Sequence, residues 1–144
     1  MTHIRVATDI DATPAEVWAD VENISSHVEW MHDAEAITFT TEATSGTGAA
    51  FDCATKIGPI RLMDKMEVTE WTPGEAMGIR HVGFVAGVGR FTLTPLGDDG
   101  CHFAWDEELR FPWWMGGPLG GIVGGRILKA VWRRNLRLLA ARFA

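Results

Sequence analysis

Cysteine is scarce in this 144-residue chain, and it is badly placed for metal. Cys53 and Cys101 are the only two; they form no CxxC, and no His/Cys cluster with ligand spacing accompanies them. That argues against a zinc site, so reduced, buried thiols are expected and no metal or organic cofactor is implied. A long hydrophobic run is also missing. The stretch FPWWMGGPLGGIVGGR offers 15 uncharged residues from Phe111 to Gly125 before Arg126, short of the roughly 20 that a membrane-spanning helix needs. Its six glycines fit neither GxGxxG nor GxxxxGK[ST], which removes the phosphate-loop reading. The N-terminus MTHIRVATDID has no apolar h-region, so a cytoplasmic protein is expected.

Excess positive charge is lacking as well. The formal charge is −6 and the pI about 5.3, whereas a nucleic-acid binder would carry a broad basic surface. The charge is uneven along the chain. All 19 acidic residues lie at or before Glu108, while six of the 13 basic residues fall between Arg126 and Arg142.

The remaining residues have the composition of one domain with a real core, 47% hydrophobic and 22% charged, and a single domain over 1–144 is the expectation. In HIRVATDI, Ile4, Val6, Thr8 and Ile10 alternate with the residues between them, the period-2 pattern of a half-buried strand. TPAE follows as a helix start: Thr13 caps, Pro14 opens the first turn and Glu16 completes a capping box. The helix over about Pro14 to Val21 turns Val17, Trp18 and Val21 inward. A second box, Ser26 to Glu29, predicts another short helix through HVEWM. From Glu35 onward the alternation returns. Strands are expected at about 35–42, 48–57, 60–71, 75–85, 88–96 and 101–111, separated by the turn sequences TSGTG, IGP, TPGE, AG and LGDDG. Such an antiparallel meander needs one covered face.

A C-terminal helix supplies the cover. On a helical wheel from Arg126, the residues Ile127, Leu128, Val131, Trp132, Leu136, Leu138, Leu139 and Phe143 gather on one side, and Arg126, Lys129, Arg133, Arg134 and Arg137 on the other. Continued backward, the same helix would place Leu119, Ile122 and Val123 among the cations. That break in phase predicts a kink or a separate segment at Gly124-Gly125, with Phe111 to Gly125 acting as an apolar flap.

The order of strand, two short helices, six-stranded meander and long C-terminal helix resembles the SRPBCC superfamily, the helix-grip fold shared by START lipid-transfer domains, the birch-pollen-allergen group and the bacterial polyketide cyclase/dehydrase family. DIDATPAEVWADVENISSHVEWM, VTEWTPGEAM, and GPLG followed by RRNLRLLAARF carry the resemblance across almost the whole chain. It implies an α+β fold, a curved antiparallel sheet of seven strands wrapped around the C-terminal helix. It also implies a deep cavity between sheet and helix that holds lipids, polyketides, isoprenoids or other hydrophobic small molecules. The residues expected on that cavity are Trp18, Trp30, Phe51, Met66 and Trp105, with Val131 and Asn135 from the helix. Adjacent Trp113 and Trp114 cannot both face the core of a regular strand, so at least one is expected at the mouth, on a partner or at a membrane surface.

Polar residues in inward phase are the candidates for chemistry. Asp64 shares its phase with Leu62, Met66 and Val68; Glu107 with Phe103, Trp105 and Leu109; His81 with Met77, Ile79 and Val85. A desolvated carboxylate there would suit general acid/base work on an enolisable polyketide. The bland alternatives are a solvated strand edge for Asp64 and Glu107 and a satisfied core or rim histidine for His81. Two absences weigh against a cyclase. There is no tyrosine, a residue type the superfamily's cyclases place in the cavity, and FDCATKI has no arginine where the aromatase/cyclase branch would have one. Cys53 has no evident base partner. Hydrophobic-ligand binding is therefore the expected function, with polyketide cyclase/dehydratase and a non-catalytic interaction module as alternatives. The basic helix face beside the apolar stretch suits a transient contact with an anionic membrane, or is simply a solvated face; the chain would act as monomer or homodimer.

Overall fold

The computed structural model describes residues 1–112 and 116–144. Seven strands form one antiparallel sheet: β1 (Thr2–Ile10), β2 (Ala34–Phe39), β3 (Ala50–Ile57), β4 (Ile60–Thr72), β5 (Ala76–Val82), β6 (Ala86–Leu96) and β7 (Gly100–Arg110). Strands β2 to β7 pair in sequence order, and β1 closes on β7 from the far side, so the order is β1-β7-β6-β5-β4-β3-β2. The alternation seen in the sequence is met in space: Ile4, Val6 and Ile10 of β1 and Phe103, Trp105 and Leu109 of β7 are buried, and the intervening Arg5 and Glu108 are exposed. This curved sheet with its long helix is the helix-grip fold expected from the sequence.

Between β1 and β2 the chain makes α1 (Pro14–Val21) and a short 3₁₀ helix (Ile24–Glu29). The TPAE signal is read correctly. Thr13 Oγ1 accepts from the Glu16 amide at 3.2 Å and Glu16 Oε1 accepts from the Thr13 amide at 3.2 Å. The second box is not a cap. The 3₁₀ helix begins before it, at Ile24, and Ser26 Oγ turns back to donate to the Asn23 carbonyl at 2.7 Å. A serine inside a turn bonds the preceding carbonyls more readily than a later amide.

The long helix α2 runs unbroken from Gly117 to Ala141, through Gly124 and Gly125. The expected separate segment is absent. Leu119, Ile122 and Val123 do fall on the cationic side, and they are left 70%, 58% and 52% exposed. The glycines have another use. A Cβ on Gly121 would stand 2.8 Å from Thr2 Oγ1, and one on Gly125 2.9 Å from Thr2 Cγ2. One helical turn apart, these two positions let α2 lie against the start of β1 with the Thr2 side chain in place, where a larger residue would make it shift. Residues 117–125 of the expected flap are thus the first turns of α2, whereas Trp113 and Trp114 lie outside the described residues.

At its other end α2 is tied down by Arg142, whose guanidinium donates to both carboxylate oxygens of Asp20 at 2.8 and 2.7 Å. Among the described residues, no helix is long and apolar enough to cross a membrane.

Candidate functional site

Between the concave face of the sheet and α2 lies a cavity of about 210 Å³. Most of its wall comes from alternate positions of four strands, Phe51, Cys53 and Thr55 on β3, Leu62, Asp64 and Met66 on β4, Met77, Ile79 and His81 on β5, and Trp105, Glu107 and Leu109 on β7, with Ile37 of β2 and Phe91 of β6 completing it. The helix contributes Gly124, Ile127, Leu128 and Trp132, which recur at i, i+3, i+4 and i+8 as one face requires. Trp105 and Trp132 stack with ring centroids 4.5 Å apart and planes at 19°, joining sheet to helix.

Of the residues singled out from the sequence, Phe51, Met66 and Trp105 stand on the cavity wall, together with Asp64, His81 and Glu107. Four do not. Trp18 packs edge-on against Trp71 at 5.2 Å, and Trp30 is fully buried among His27, Phe91 and Trp105. Both belong to the packing between the short helices and the sheet. Val131 is half-buried against the core beside the cavity. Asn135, one turn beyond Trp132 and fully buried, spends its side chain on structure: Nδ2 donates to Asp33 Oδ1 at 2.7 Å, and Oδ1 accepts from the His32 amide at 3.1 Å.

The three ionisable candidates form one continuous relay. His81 Nδ1 lies 2.9 and 3.0 Å from the two oxygens of Asp64, and His81 Nε2 lies 2.8 Å from Glu107 Oε2. Trp105 Nε1 donates to the remaining Glu107 oxygen at 3.0 Å. With a carboxylate on each side, both ring nitrogens carry protons and both donate. Burial by itself pulls the imidazole down; hydrogen bonds to Asp64 and Glu107, with the two negative charges, outweigh it and raise the pKa to about 10. His81 and Glu107 are buried, and Asp64 is the member that retains access, with 17% of its side chain exposed.

Topology makes this contact improbable, because β6 lies between β5 and β7. Strands two apart are separated by about 10 Å. Gly89 opens the way. It pairs with Ile79 on one side and Glu107 on the other, and a Cβ there would collide with the Glu107 carboxylate. The Glu107 side chain therefore leans across β6 over a residue with no side chain and reaches His81. Gly89→Ala is expected to push the carboxylate off His81. The expected cost is about 1–3 kcal/mol of stability, read from urea unfolding, together with a fall in the His81 pKa, read from its ring proton shifts.

Asp33, His27 and Cys53 also border the cavity. Asp33, ahead of β2, accepts from Trp132 Nε1 at 3.2 Å as well as from Asn135. The His27 ring is held by its Nε2 to the Val21 carbonyl at 2.7 Å, and burial lowers its pKa to about 4, so it is neutral. Burial pushes the Cys53 thiol up to about 11, which leaves no thiolate for nucleophilic work. Asp33 and Gly89 carried no sequence signal read as functional, although a glycine opposite an inward carboxylate in a strand pair is the mark of a close approach. Among the described residues, no group of three or more His, Cys, Asp or Glu side chains is arranged to hold a metal ion.

With this geometry in hand, the comparisons with known proteins agree on architecture. The family model described as polyketide cyclase / dehydrase and lipid transport matches residues 1–144. Protein TTHA0849 of Thermus thermophilus superposes with a TM-score of 0.83 at 15% identity, covering 98% of this chain and 96% of its own. A START superfamily protein from Mycobacterium smegmatis gives 0.78 at 12% identity, covering 99% and 97%. The Zhui aromatase/cyclase from Streptomyces sp. R1128 gives 0.72 at 14% identity, covering 97% and 92%. At such identities these structures share the fold. No curated protein sequence matches the chain.

Proposed function

The chain belongs to the polyketide cyclase/dehydrase and lipid transport family, and on that premise we propose that it binds a hydrophobic small molecule, of the lipid, isoprenoid or polyketide kind, between the sheet and α2. The observation that carries this reading is the cavity itself: a space of about 210 Å³ walled by Phe51, Leu62, Met66, Met77, Ile79 and the Trp105–Trp132 stack. Native interiors rarely leave apolar room of this size unfilled. Native mass spectrometry of protein purified from its own host, with organic extraction, tests it. A releasable apolar adduct is expected. A bare chain whose tryptophan fluorescence also ignores a panel of apolar molecules would overturn the reading.

The relay favours a second reading, acid/base catalysis on a bound poly-β-keto chain. On a chain whose aldol closure has already produced a β-hydroxyl, Asp64 would take the proton α to the carbonyl and pass it to that hydroxyl, so that water leaves and a double bond forms, with the His81 imidazolium, kept charged by Glu107, offsetting the negative charge of the enolate. Loss of turnover in Asp64→Asn with binding retained would establish it once a substrate is found. Retained turnover would end it.

Ligand exchange, on this reading, takes place at an anionic membrane. Leu119, Ile122 and Val123 stand exposed on the outward side of α2 beside the exposed Arg126, Lys129 and Arg133, the pairing of apolar and basic groups that suits a headgroup interface. Each cation near such a surface is worth about 1 kcal/mol. Co-sedimentation is expected with phosphatidylglycerol vesicles and not with phosphatidylcholine vesicles, fading at high salt. Equal sedimentation with both would contradict this part of the proposal.

A further inference from the structure

The polar groups of the cavity differ in what they still have to offer. His81 spends both N–H groups on Asp64 and Glu107. Thr55 donates its hydroxyl to the Cys53 carbonyl at 3.2 Å. Neutral His27 commits its Nε2 to Val21, leaving only an acceptor nitrogen. Arg90 contributes to the wall, but its guanidinium is turned to the exposed face and held by both oxygens of Glu70, at 2.7 and 3.0 Å. Among the described residues that line the cavity, the Cys53 thiol is the one side-chain donor left, and a weak one. The uncommitted valences are thus almost all acceptors: the lone pairs of Asp64 beyond those facing His81, and those of Asp33. With Arg90 neutralised by Glu70, three carboxylates of the described wall, Asp33, Asp64 and Glu107, stand against the one imidazolium.

Resting on the reading of this cavity as a ligand site, we infer that its ligand is an apolar molecule with a hydrogen-bond-donating head, strongest as a protonated amine, which docks on Asp64. Carboxylate-headed and phosphate-headed lipids are excluded. An anionic head would bring a further negative charge into a poorly solvated space and meet acceptors there; among the described residues Arg90 is the one arginine or lysine on the wall, and its guanidinium is already held by Glu70. A donor head meets Asp64, the exposed end of the relay, and completes the hydrogen bonding of a carboxylate that the apolar wall otherwise leaves short. A neutral hydroxyl uses the same acceptor without the charge attraction and ranks second.

The test is a matched series at pH 7: octylamine, octanol, octanoate and octane, titrated against the tryptophan fluorescence, to which the stacked Trp105 and Trp132 at the cavity contribute. Octylamine is expected to bind tightest, octanol next, and octanoate at least about tenfold more weakly than octylamine. Asp64→Asn is expected to cost octylamine about tenfold and octanol far less. The head-group series on the unaltered chain decides the matter even if that variant folds poorly. Octanoate binding as tightly as octylamine would overturn the inference while leaving the cavity as a ligand site. Failure of all four, octane included, would overturn the ligand site itself.

Discussion

Replacing Glu107 by glutamine is expected to lower folding stability by about 3–5 kcal/mol, the loss that follows when one partner of a buried charge pair is removed. The carboxylate now accepts from two donors, His81 Nε2–H and Trp105 Nε1–H. An amide has one oxygen, so one of these donors would face an NH₂ group with water shut out. Urea unfolding reads the change directly. The companion experiment replaces Asp64, His81 and Glu107 together by apolar residues of similar volume. That variant is expected to regain most of the loss, because a buried ionic group is seldom worth more to stability than good apolar packing. If the triple variant remained as unstable as Glu107→Gln, the relay would be a structural necessity and its use for ligand recognition would lose support.

The second large effect is a stability maximum near pH 6.5. The folded His81 binds its proton up to about pH 10 against an ordinary value of 6.5. Its contribution is therefore complete below 6.5 and is lost as pH rises toward 10. Cys53, raised from 9.0 to about 11 by burial, extends the same fall above pH 9. His27 acts in the opposite direction. Its folded form resists protonation until about pH 4, so stability falls as pH drops from 6.5 and the unfolded imidazole takes up a proton. Each singly titrating group tilts the curve by at most about 1.4 kcal/mol per pH unit. Glu107→Gln should flatten the alkaline arm and leave the acid arm unchanged; Asp64 remains the second carboxylate against His81. A stability that rises steadily from pH 6.5 to 9 would contradict the charged assignment of His81.

The sequence was most informative where a local rule decides the structure. Period-2 alternation located the strands, Thr13 and Glu16 marked the start of α1, and the wheel of Leu128, Trp132, Leu136 and Leu139 identified the inner face of α2. It misled where a residue answers to something distant in the chain. Gly124-Gly125 looks like a hinge locally; only the approach of Gly125, and of Gly121 one turn before it, to Thr2, more than a hundred residues earlier, shows a contact point. Leu119, Ile122 and Val123 look like proof of a separate segment if every apolar residue must be buried, yet the helix continues and leaves them exposed. The relay was half legible. Strand phase put Asp64, His81 and Glu107 on the inner face, but no pattern along one strand could show that Gly89 on the intervening strand would let two of them touch.

The claim that an apolar molecule enters the space between sheet and helix is tested most directly by the methionines. Met31, Met66 and Met77 line the cavity, whereas Met1 and Met63 are exposed at 76% and 46%. In a protein labelled with ¹³C at the methionine methyls, saturation with octanol is expected to shift the resonances of Met31, Met66 and Met77 and leave those of Met1 and Met63 in place. Shifts confined to Met1 and Met63, or none at all, would show that the cavity does not admit the ligand.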